Sequence, residues 1–307
     1  MKTAYITHPS SQRHEMGAHH PECPDRVAAI ADRLLMRGVL DLMDAFEAPR
    51  ASLEQVGRAH DPRYLLELQA LSPAEGYVSV DPDTSMNPHT FEAALHAAGA
   101  SVLGAELVLR QGYRRVFCNV RPPGHHAGRA GASGFCFFNN AAVGIRHALD
   151  FHGLERVALV DIDVHHGNGS EDILASDPRV LMCSTFQRGL YPFQGEEPKG
   201  LNMVNVGLPA GATGENLRAA VQEYWMPALD AFAPQLLFIS AGFDAHQADD
   251  MAAMRWVESD YAWVTRELVR AAHRHCGGRV VSLLEGGYHL HALSRSVAAH
   301  VRELIGA

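Results

Sequence analysis

Residues 157–169 read VALVDIDVHHGNG, and this segment is the main signal for the predicted fold class. Its first half is apolar on both faces, as a strand of a helix-covered parallel sheet must be. In its second half Asp161, Asp163 and His165 alternate, so their side chains lie on one side of the chain as it leaves the sheet. Two carboxylates and an imidazole together are costly to bury unless a cation neutralises them. The stretch predicts a cation site at a strand end, although an Asp-rich helix cap would show the same pattern.

Further segments share the short, apolar, β-branched character of a buried strand: 3–7, 115–120, 156–161, 180–184, 203–206, 236–240, 280–284 and, more weakly, 45–48. Helical periodicity separates them at 24–37, 88–110, 140–151, 215–231 and 259–275. Ser52 and Gln55 have the spacing of a helix capping box. This order predicts an α/β fold, a single domain over residues 1–307 with a mostly parallel, doubly wound sheet of about eight strands and helices on both faces.

The composition indicates a globular chain with a large core, since 47% of its 307 residues are hydrophobic and 20% are charged. A formal charge of −9 argues against a nucleic-acid partner, and no apolar run reaches the length of a membrane span or a signal peptide. Five widely spaced cysteines without a C-x-x-C pair indicate neither disulfides nor a thiolate metal site. We therefore expect a soluble cytoplasmic protein, and its 19 histidines invite a search for a metal or acid–base site.

A second strand, 236–240, ends in small residues followed by Asp244. Parallel strands deliver their carboxyl ends to the same edge of a sheet, where ligands bind. Asp244 would there join Asp163 and His165. Three such ligands with an open position are typical of catalytic zinc, and Co(II), Fe(II) or Mn(II) also fit. Taken alone, Asp244 also suits a helix cap.

Two more strand ends place proton-transferring groups at this edge. Arg121 to His126 read RPPGHH, in a Gly- and Pro-rich connection over 121–138, and a second long connection covers 186–208. Adjacent histidines in an extended segment diverge, so acid–base roles suit His125 and His126 better than shared metal ligation. The sequence LLEGGY over 283–288 presents Tyr288 after a Gly-Gly turn, where its hydroxyl can donate to an oxyanion or simply pack.

Five motifs, RPPGHHA, GFCFFNNAA, DIDVHHGNG, SAGFDAH and LEGGY, occur in the order found in the zinc-dependent histone deacetylase and acetylpolyamine amidohydrolase superfamily, which shares its fold with arginase. The segments HHPECPDR (19–26) and RAHDPRYL (58–65) extend the resemblance over nearly the whole chain. The pair NN and Asn168 resemble the class II branch and its bacterial relatives. The resemblance implies a hydrolase acting on linear amide C–N bonds, which removes acetyl or other acyl groups from lysine side chains.

The resemblance also implies roles for single residues. One zinc ion per chain would bind Asp163, His165 and Asp244. His126 resembles the general base, and His125 its electrostatic partner. Asp161 and Asn168 stand behind His125 and His126, and Tyr288 completes the oxyanion site.

For the substrate channel the resemblance implies walls formed by Phe135 and Tyr191, a rim carboxylate at Asp83, a gatekeeper at Met251 and the flanking glycines Gly134 and Gly286. The second wall is usually phenylalanine, so Tyr191 is a departure. A monovalent cation site, with potassium as its ion, would use Ser184 and main-chain oxygens near Asp161, Asp163 and His165.

Several alternatives stay open. Acetylpolyamine-specific relatives have an acidic gatekeeper, so the apolar Met251 favours an acetylated lysine of a protein or peptide over another acetylated amine. A binuclear manganese ureohydrolase needs DxHxD and DxDxD motifs, and neither is present. A catalytically silent acetyl-lysine binder would not need His126 and Tyr288. The sequence does not specify the acyl group, the oligomeric state or the native metal.

Overall fold

The computed structural model describes residues 2–306 and is built on a parallel sheet of eight strands. In chain order the strands of the protein are β1 (Thr3–Thr7), β2 (Asp44–Glu47), β3 (Val78–Asp81), β4 (Thr84–Met86), β5 (Arg115–Cys118), β6 (Val157–Asp161), β7 (Val180–Gln187), β8 (Met203–Leu208), β9 (Leu236–Ala241) and β10 (Val280–Leu284). The central sheet has the order β2-β1-β5-β10-β9-β6-β7-β8, and every neighbouring pair is parallel. Strands β3 and β4 form a separate antiparallel hairpin.

Helices cover both faces of the sheet. They are α1 (Asp25–Met36), α2 (Leu53–Gly57), α3 (Pro62–Leu71), α4 (Thr90–Arg110), α5 (Asn140–Arg146), α6 (Asn168–Leu174), α7 (Gly214–Ala220), α8 (Met226–Phe232), α9 (Glu258–Cys276) and α10 (Leu290–Ile305). Successive strand residues belong to opposite cores: Val116 packs with α4 and α5, and Phe117 packs with α1, α9 and α10. This alternation explains why the strands are apolar on both faces.

The predicted fold class is confirmed, and a strand is present at each of the eight predicted positions. The predicted bounds differ by more than one residue at three of them. The strand predicted at 115–120 ends at Cys118, whereas β7 and β8 run on to Gln187 and Leu208 and so shorten the connection predicted over 186–208. The predicted capping box is also present, since Ser52 accepts from the Gln55 amide and the Gln55 side chain accepts from the Ser52 amide.

Other elements escaped prediction. Helices α3, α6 and α10 and the β3–β4 hairpin were not predicted. The patterns of α3, α6 and the hairpin are short or mixed and acquire an apolar face only against the packed core, whereas α10 is amphipathic over its whole length and its periodicity was an available signal. The helices predicted over 140–151 and 215–231 each contain a π-helical turn, His147–Phe151 and Val221–Trp225. A backbone hydrogen-bond shift of this kind leaves the apolar periodicity nearly intact, so the sequence does not reveal it.

Helix α4 is the central helix of one face. By length and composition it could cross a membrane, but 72% of its most apolar window is buried inside the protein, as in a core helix.

The close approach of α4 to the segment after β2 depends on Gly99, because a Cβ at that position would lie 1.8 Å from the Pro49 carbonyl oxygen.

A buried charge network fixes the N-terminal segment to the loops of the carboxyl edge. Glu22 is fully buried and accepts from Arg121 Nη2 at 2.6 Å and Arg26 Nη1 at 2.9 Å, with His14 Nε2 at 3.3 Å. Burial alone would raise the pKa of Glu22, but Arg121, His14 and Arg26 outweigh it and lower that pKa well below its usual value. Glu22 is therefore ionised and its charge is neutralised within the core.

We predict that Gly99→Ala lowers the free energy of unfolding by about 1–3 kcal/mol, since backbone must shift to relieve the overlap. Urea titration followed by circular dichroism measures the change. Gly57→Ala is the matched control, because its Cβ would meet only Leu65 Cδ1 at an ordinary 3.8 Å. Equal stability of the two variants would contradict the close contact.

We predict that Glu22→Gln destabilises the protein by about 3–5 kcal/mol at neutral pH, because the arginines lose their buried counter-charge. The folded pKa of Glu22 is depressed, so its stabilisation is complete above the unfolded pKa of about 4.3 and is lost as the pH falls. The variant should therefore show a flatter decline of unfolding free energy on acidification.

Urea titrations from neutral to acidic pH test this expectation. Glu92→Gln is the control: Glu92 pairs with Arg50 on the surface, with half of its side chain exposed, and should lose less than about 1 kcal/mol. An acid profile of Glu22→Gln that parallels the unsubstituted protein would refute the role of the buried carboxylate.

Candidate active site

Four loops meet at the carboxyl edge of the sheet, because the strands that precede them are neighbours in the order β5-β10-β9-β6. The loop after β5 contributes His125 and His126, and the loop after β10 contributes Tyr288. Asp163 and His165 follow β6, and Asp244 follows β9. Residues up to 163 positions apart in the sequence thus surround one site, as parallel sheets favour.

Asp163, His165 and Asp244 are buried, and their ligand atoms lie within 4.8 Å of one another. His165 Nδ1 is 3.0 Å from Asp163 Oδ1 and 3.2 Å from Asp244 Oδ2. Main-chain amides hold the carboxylates: Gly286 donates to Asp163 Oδ2 and Val164 to Asp244 Oδ1. The structure therefore brings the three predicted metal ligands together.

The donor set fits a divalent metal ion. Burial and the nearby charge of Asp163 raise the pKa of Asp244, since two carboxylates repel each other in a medium of low polarity. Asp244 Oδ2 is buried and forms no hydrogen bond with the described residues. A cation bound by this oxygen, Asp163 and His165 Nδ1 would neutralise the cluster, and two carboxylates with one imidazole are ligands that zinc accepts.

The two adjacent histidines have opposite charge preferences. His125 Nδ1 lies 3.0 Å from Asp161 Oδ2, and His126 Nδ1 lies 2.8 Å from Asn168 Oδ1. Burial opposes a charge on His125, but Asp163 and Asp161 outweigh it and raise its pKa well above the usual value. Burial and the charges of His125 and His165 lower the pKa of His126 well below its usual value.

Because its pKa is lowered, His126 is uncharged and can act as a base. The Asn168 oxygen is an acceptor, so His126 Nδ1 carries the proton and its Nε2 has the free lone pair. The ring centroids of His126 and His165 are 5.8 Å apart and both rings line the same cavity, so His126 neighbours a predicted metal ligand.

Tyr288 lines a narrow cavity of about 120 Å³. Burial and the charge of Asp244 raise the pKa of Tyr288 well above its usual value, so its hydroxyl keeps its proton and can donate a hydrogen bond. The cavity is lined by Asp83, His126, Gly134, Phe135, His165, Tyr191, Met251 and Tyr288.

The aromatic walls are held by unusual backbone. Phe135 has φ of +69° and follows Gly134 at +53°, and a bulky residue in the left-handed region requires external support. The amide of Phe135 donates to Thr84 Oγ1 at 2.9 Å, which ties this wall to β4. The Phe135 ring meets the Tyr288 ring edge-on at 5.8 Å, while Tyr191 meets His126 edge-on at 5.0 Å.

Gly286 differs from the other predicted channel residues, because it lies beneath the site rather than along the cavity. A Cβ at this position would be 2.1 Å from Asp244 Oδ2, so only glycine leaves room for the carboxylates.

The monovalent cation site was predicted to include Ser184. This residue is buried and is the register neighbour of Asp161 across β6 and β7. The ion itself stays a prediction.

The sequence did not reveal the residues that support the site from behind. Glu285 is buried and accepts from the amides of Gly124 and His125 and from Ser240 Oγ. Burial raises the pKa of Glu285 to about 7. Its place in the LEGGY motif was the available signal, but nothing in the motif indicates that it fixes the histidine loop.

Arg26 and Asp249 hold Tyr288 from two sides. The Arg26 guanidinium lies 4.9 Å from the centre of the Tyr288 ring and donates to the Gly287 carbonyl at 2.6 Å. Asp249 Oδ2 accepts from the Tyr288 amide at 2.7 Å and from the His289 amide at 3.0 Å. Arg26 belongs to the segment HHPECPDR that carries part of the resemblance, but nothing in that segment or around Asp249 indicates a contact with Tyr288.

Comparisons with known proteins agree with this geometry. The family model of the histone deacetylase domain matches residues 20–304. Histone deacetylase 14, chloroplastic, of Arabidopsis thaliana is 35% identical over 94% of this chain and 73% of its own length. A histone deacetylase-like amidohydrolase of Pseudomonas aeruginosa is 37% identical over 88% of this chain and 73% of its own length.

Two further relatives extend the comparison. The human polyamine deacetylase HDAC10 is 36% identical over the whole of this chain, which spans 48% of the longer human protein. The crystal structure of the HDA15 HD domain superposes with a TM-score of 0.92 at 32% identity, covering 99% of this chain and 90% of that one. By family model, sequence and structure, the chain belongs to the histone deacetylase family, hydrolases that act on amides.

Proposed function

We propose that this protein is a zinc-dependent amidohydrolase that removes acetyl groups from lysine side chains of proteins or peptides. The observation that supports this most directly is the combination, in one buried site, of three metal ligands, a neutral histidine and a protonated tyrosine at the end of a narrow aromatic cavity. A silent binding module would not need a base and a proton donor that both line such a cavity.

Asp163, His165 and Asp244 would hold one zinc ion. When bound, zinc supplies a Lewis acid that polarises the amide carbonyl and makes water acidic enough to react near neutral pH. Ser184 and main-chain oxygens near Asp161 would hold a potassium ion, whose charge would further offset the buried carboxylates.

His126 would take the proton from the attacking water through its free Nε2 and later return it to the leaving amine. The neighbouring imidazolium of His125, paired with Asp161, keeps the pKa of His126 low. This low pKa favours release of the proton to the leaving group, because a weak base holds it less tightly. Asn168 keeps the ring oriented by accepting from Nδ1.

Tyr288 would donate a hydrogen bond to the oxygen that becomes negative when the carbonyl is attacked. The ring is fixed by Arg26 and the edge contact with Phe135, so the hydroxyl needs little reorganisation during the reaction. The rings of Phe135 and Tyr191 would contact the aliphatic stem of the substrate and exclude water from it.

The mouth of the cavity favours an acyl-lysine over an acetylated polyamine. Met251 is apolar and offers no counter-charge to the free ammonium groups of a polyamine. Asp83 at the same mouth would accept hydrogen bonds from the backbone of a peptide substrate. We propose a cytoplasmic location as well, to which the five free cysteines are suited.

We predict that Tyr288→Phe and His126→Ala each lower kcat for an acetyl-lysine peptide by at least about 100-fold, since each removes a group that acts in the transition state. Neither residue is a metal ligand, so the bound zinc per chain should not change. Steady-state kinetics and elemental analysis measure the two properties.

Tyr224→Phe, at an exposed tyrosine, and His275→Ala, at a histidine in the last turn of α9 that contacts Asp230, are the matched controls and should keep full activity. Retention of full activity by Tyr288→Phe or His126→Ala would exclude the assigned roles.

We predict that Met251→Glu raises the ratio of kcat/KM for an acetylated polyamine over an acetyl-lysine peptide about three- to tenfold, because a carboxylate at the mouth attracts the ammonium groups. Met251→Gln has a similar shape without charge and should leave the ratio unchanged. The same assay with longer acyl-lysine peptides defines the acyl preference. If the unsubstituted enzyme already prefers the polyamine, the proposed substrate class is wrong.

A further inference from the structure

A second cluster of metal-binding side chains lies at the opposite edge of the sheet from the active site. Glu106 belongs to the last turns of α4, which leads into the start of β5. His147 begins the π-helical turn after α5, and His152 follows that turn. The strands begin at this edge, whereas the active-site loops leave from their ends, so the cluster is separate from the catalytic machinery.

The three side chains converge on one point. Nε2 of His147 and Nε2 of His152 each lie 2.8 Å from Glu106 Oε1, and all three ligand atoms are within 4.8 Å of one another. Within residues 2–306 the active-site triad is the other group of this kind, and its ligand atoms have similar separations of 3.0 and 3.2 Å. The second cluster is thus as convergent as the site proposed for zinc.

The π-helical turn is what brings both imidazoles to Glu106. In an α-helix, residues five apart point about 140° away from each other, since each residue turns the chain by about 100°. Here the His152 amide donates to the His147 carbonyl, five residues back, and the wider turn places the second side chain above the first. Such local widening is frequent at functional sites.

Burial and charge suit ligation. The side chains of His147 and His152 are 5% and 8% exposed, so few water molecules compete for their nitrogens, while Glu106 at 29% leaves an approach from solvent. Glu106 supplies the negative charge.

Arg58 is the one cation in contact with these ligands among the described residues. Its Nη1 lies 3.4 Å from His147 Nδ1, a long contact, and its Nη2 lies 3.0 Å from Glu54 Oε1. Metal binding at Nε2 leaves the proton on Nδ1, so the guanidinium must move away from His147. The guanidinium of Arg58 can make this movement and stay paired with Glu54.

We propose that Glu106, His147 and His152 form a second binding site for a divalent transition-metal ion, with zinc as the ion that this ligand set suits best. The ion would link the end of α4 to the turn after α5, two elements of the same helical layer. Three protein ligands leave one position for water, and the site takes no part in amide hydrolysis.

The test is a metal count on the full chain, stripped with a chelator, reloaded with excess zinc and freed of unbound metal. We expect two zinc ions per chain in the unsubstituted protein and one in His152→Ala. Glu106→Gln, which preserves side-chain size, should also bind one and gives a reading independent of the histidine. His275→Ala removes a histidine that contacts a single carboxylate, Asp230, and should keep two.

Asp244→Asn, which weakens the active-site triad, separates the two sites. This variant should retain one zinc ion, and combining it with His152→Ala should remove the remaining ion together with the zinc-dependent rise of the unfolding temperature. One zinc ion per unsubstituted chain, or an equal count in the unsubstituted protein, His152→Ala and Glu106→Gln, would overturn the proposal.

Discussion

The structure depends on the burial of like charges at one edge of a parallel sheet. Asp161, Asp163, Asp244 and Glu285 are all buried at or just after the ends of three adjacent strands, β6, β9 and β10. Carboxylates placed so close together repel each other and have no water to screen them. The surrounding residues are arranged to reduce this penalty: main-chain amides donate to all four carboxylates, and His125 adds a positive charge between Asp161 and Asp163.

The need to neutralise buried charges also explains the contacts of Arg26, Arg121 and Glu22 behind the site. Arg26 donates to carbonyls of the loop that contains Glu285, and Glu22 neutralises Arg26 and Arg121 in turn. The N-terminal segment is therefore part of the support of the site, although it lies outside the sheet. Each group in this chain of contacts is buried, so removal of one leaves its partner without a counter-charge. Such a removal would lower the free energy of unfolding and would also disturb the active site.

The narrow cavity is a product of backbone geometry and of aromatic packing. Phe135 adopts a left-handed conformation that is supported by its contacts to β4, His20 and Tyr288, and Gly286 allows the carboxylates to approach the loop. At the opposite edge the π-helical turn at His147 serves an analogous purpose, since it redirects a side chain that a regular helix would point elsewhere. In both places a local departure from regular backbone creates the site.

From the sequence alone we could predict the fold class, the eight strands and the residues at four strand ends, because short runs that are apolar on both faces and short strand-end motifs are local signals. The sequence also indicated the conjunction of Asp163, His165 and Asp244, since parallel strands end at a common edge. Only the tertiary structure decided the roles of Glu285, Arg26, Asp249 and Glu106. Arg26 meets Gly287 across 261 positions of the chain, and no local pattern encodes such a contact. Packing alone brings these groups together, and their effect arises from burial, which a sequence does not display.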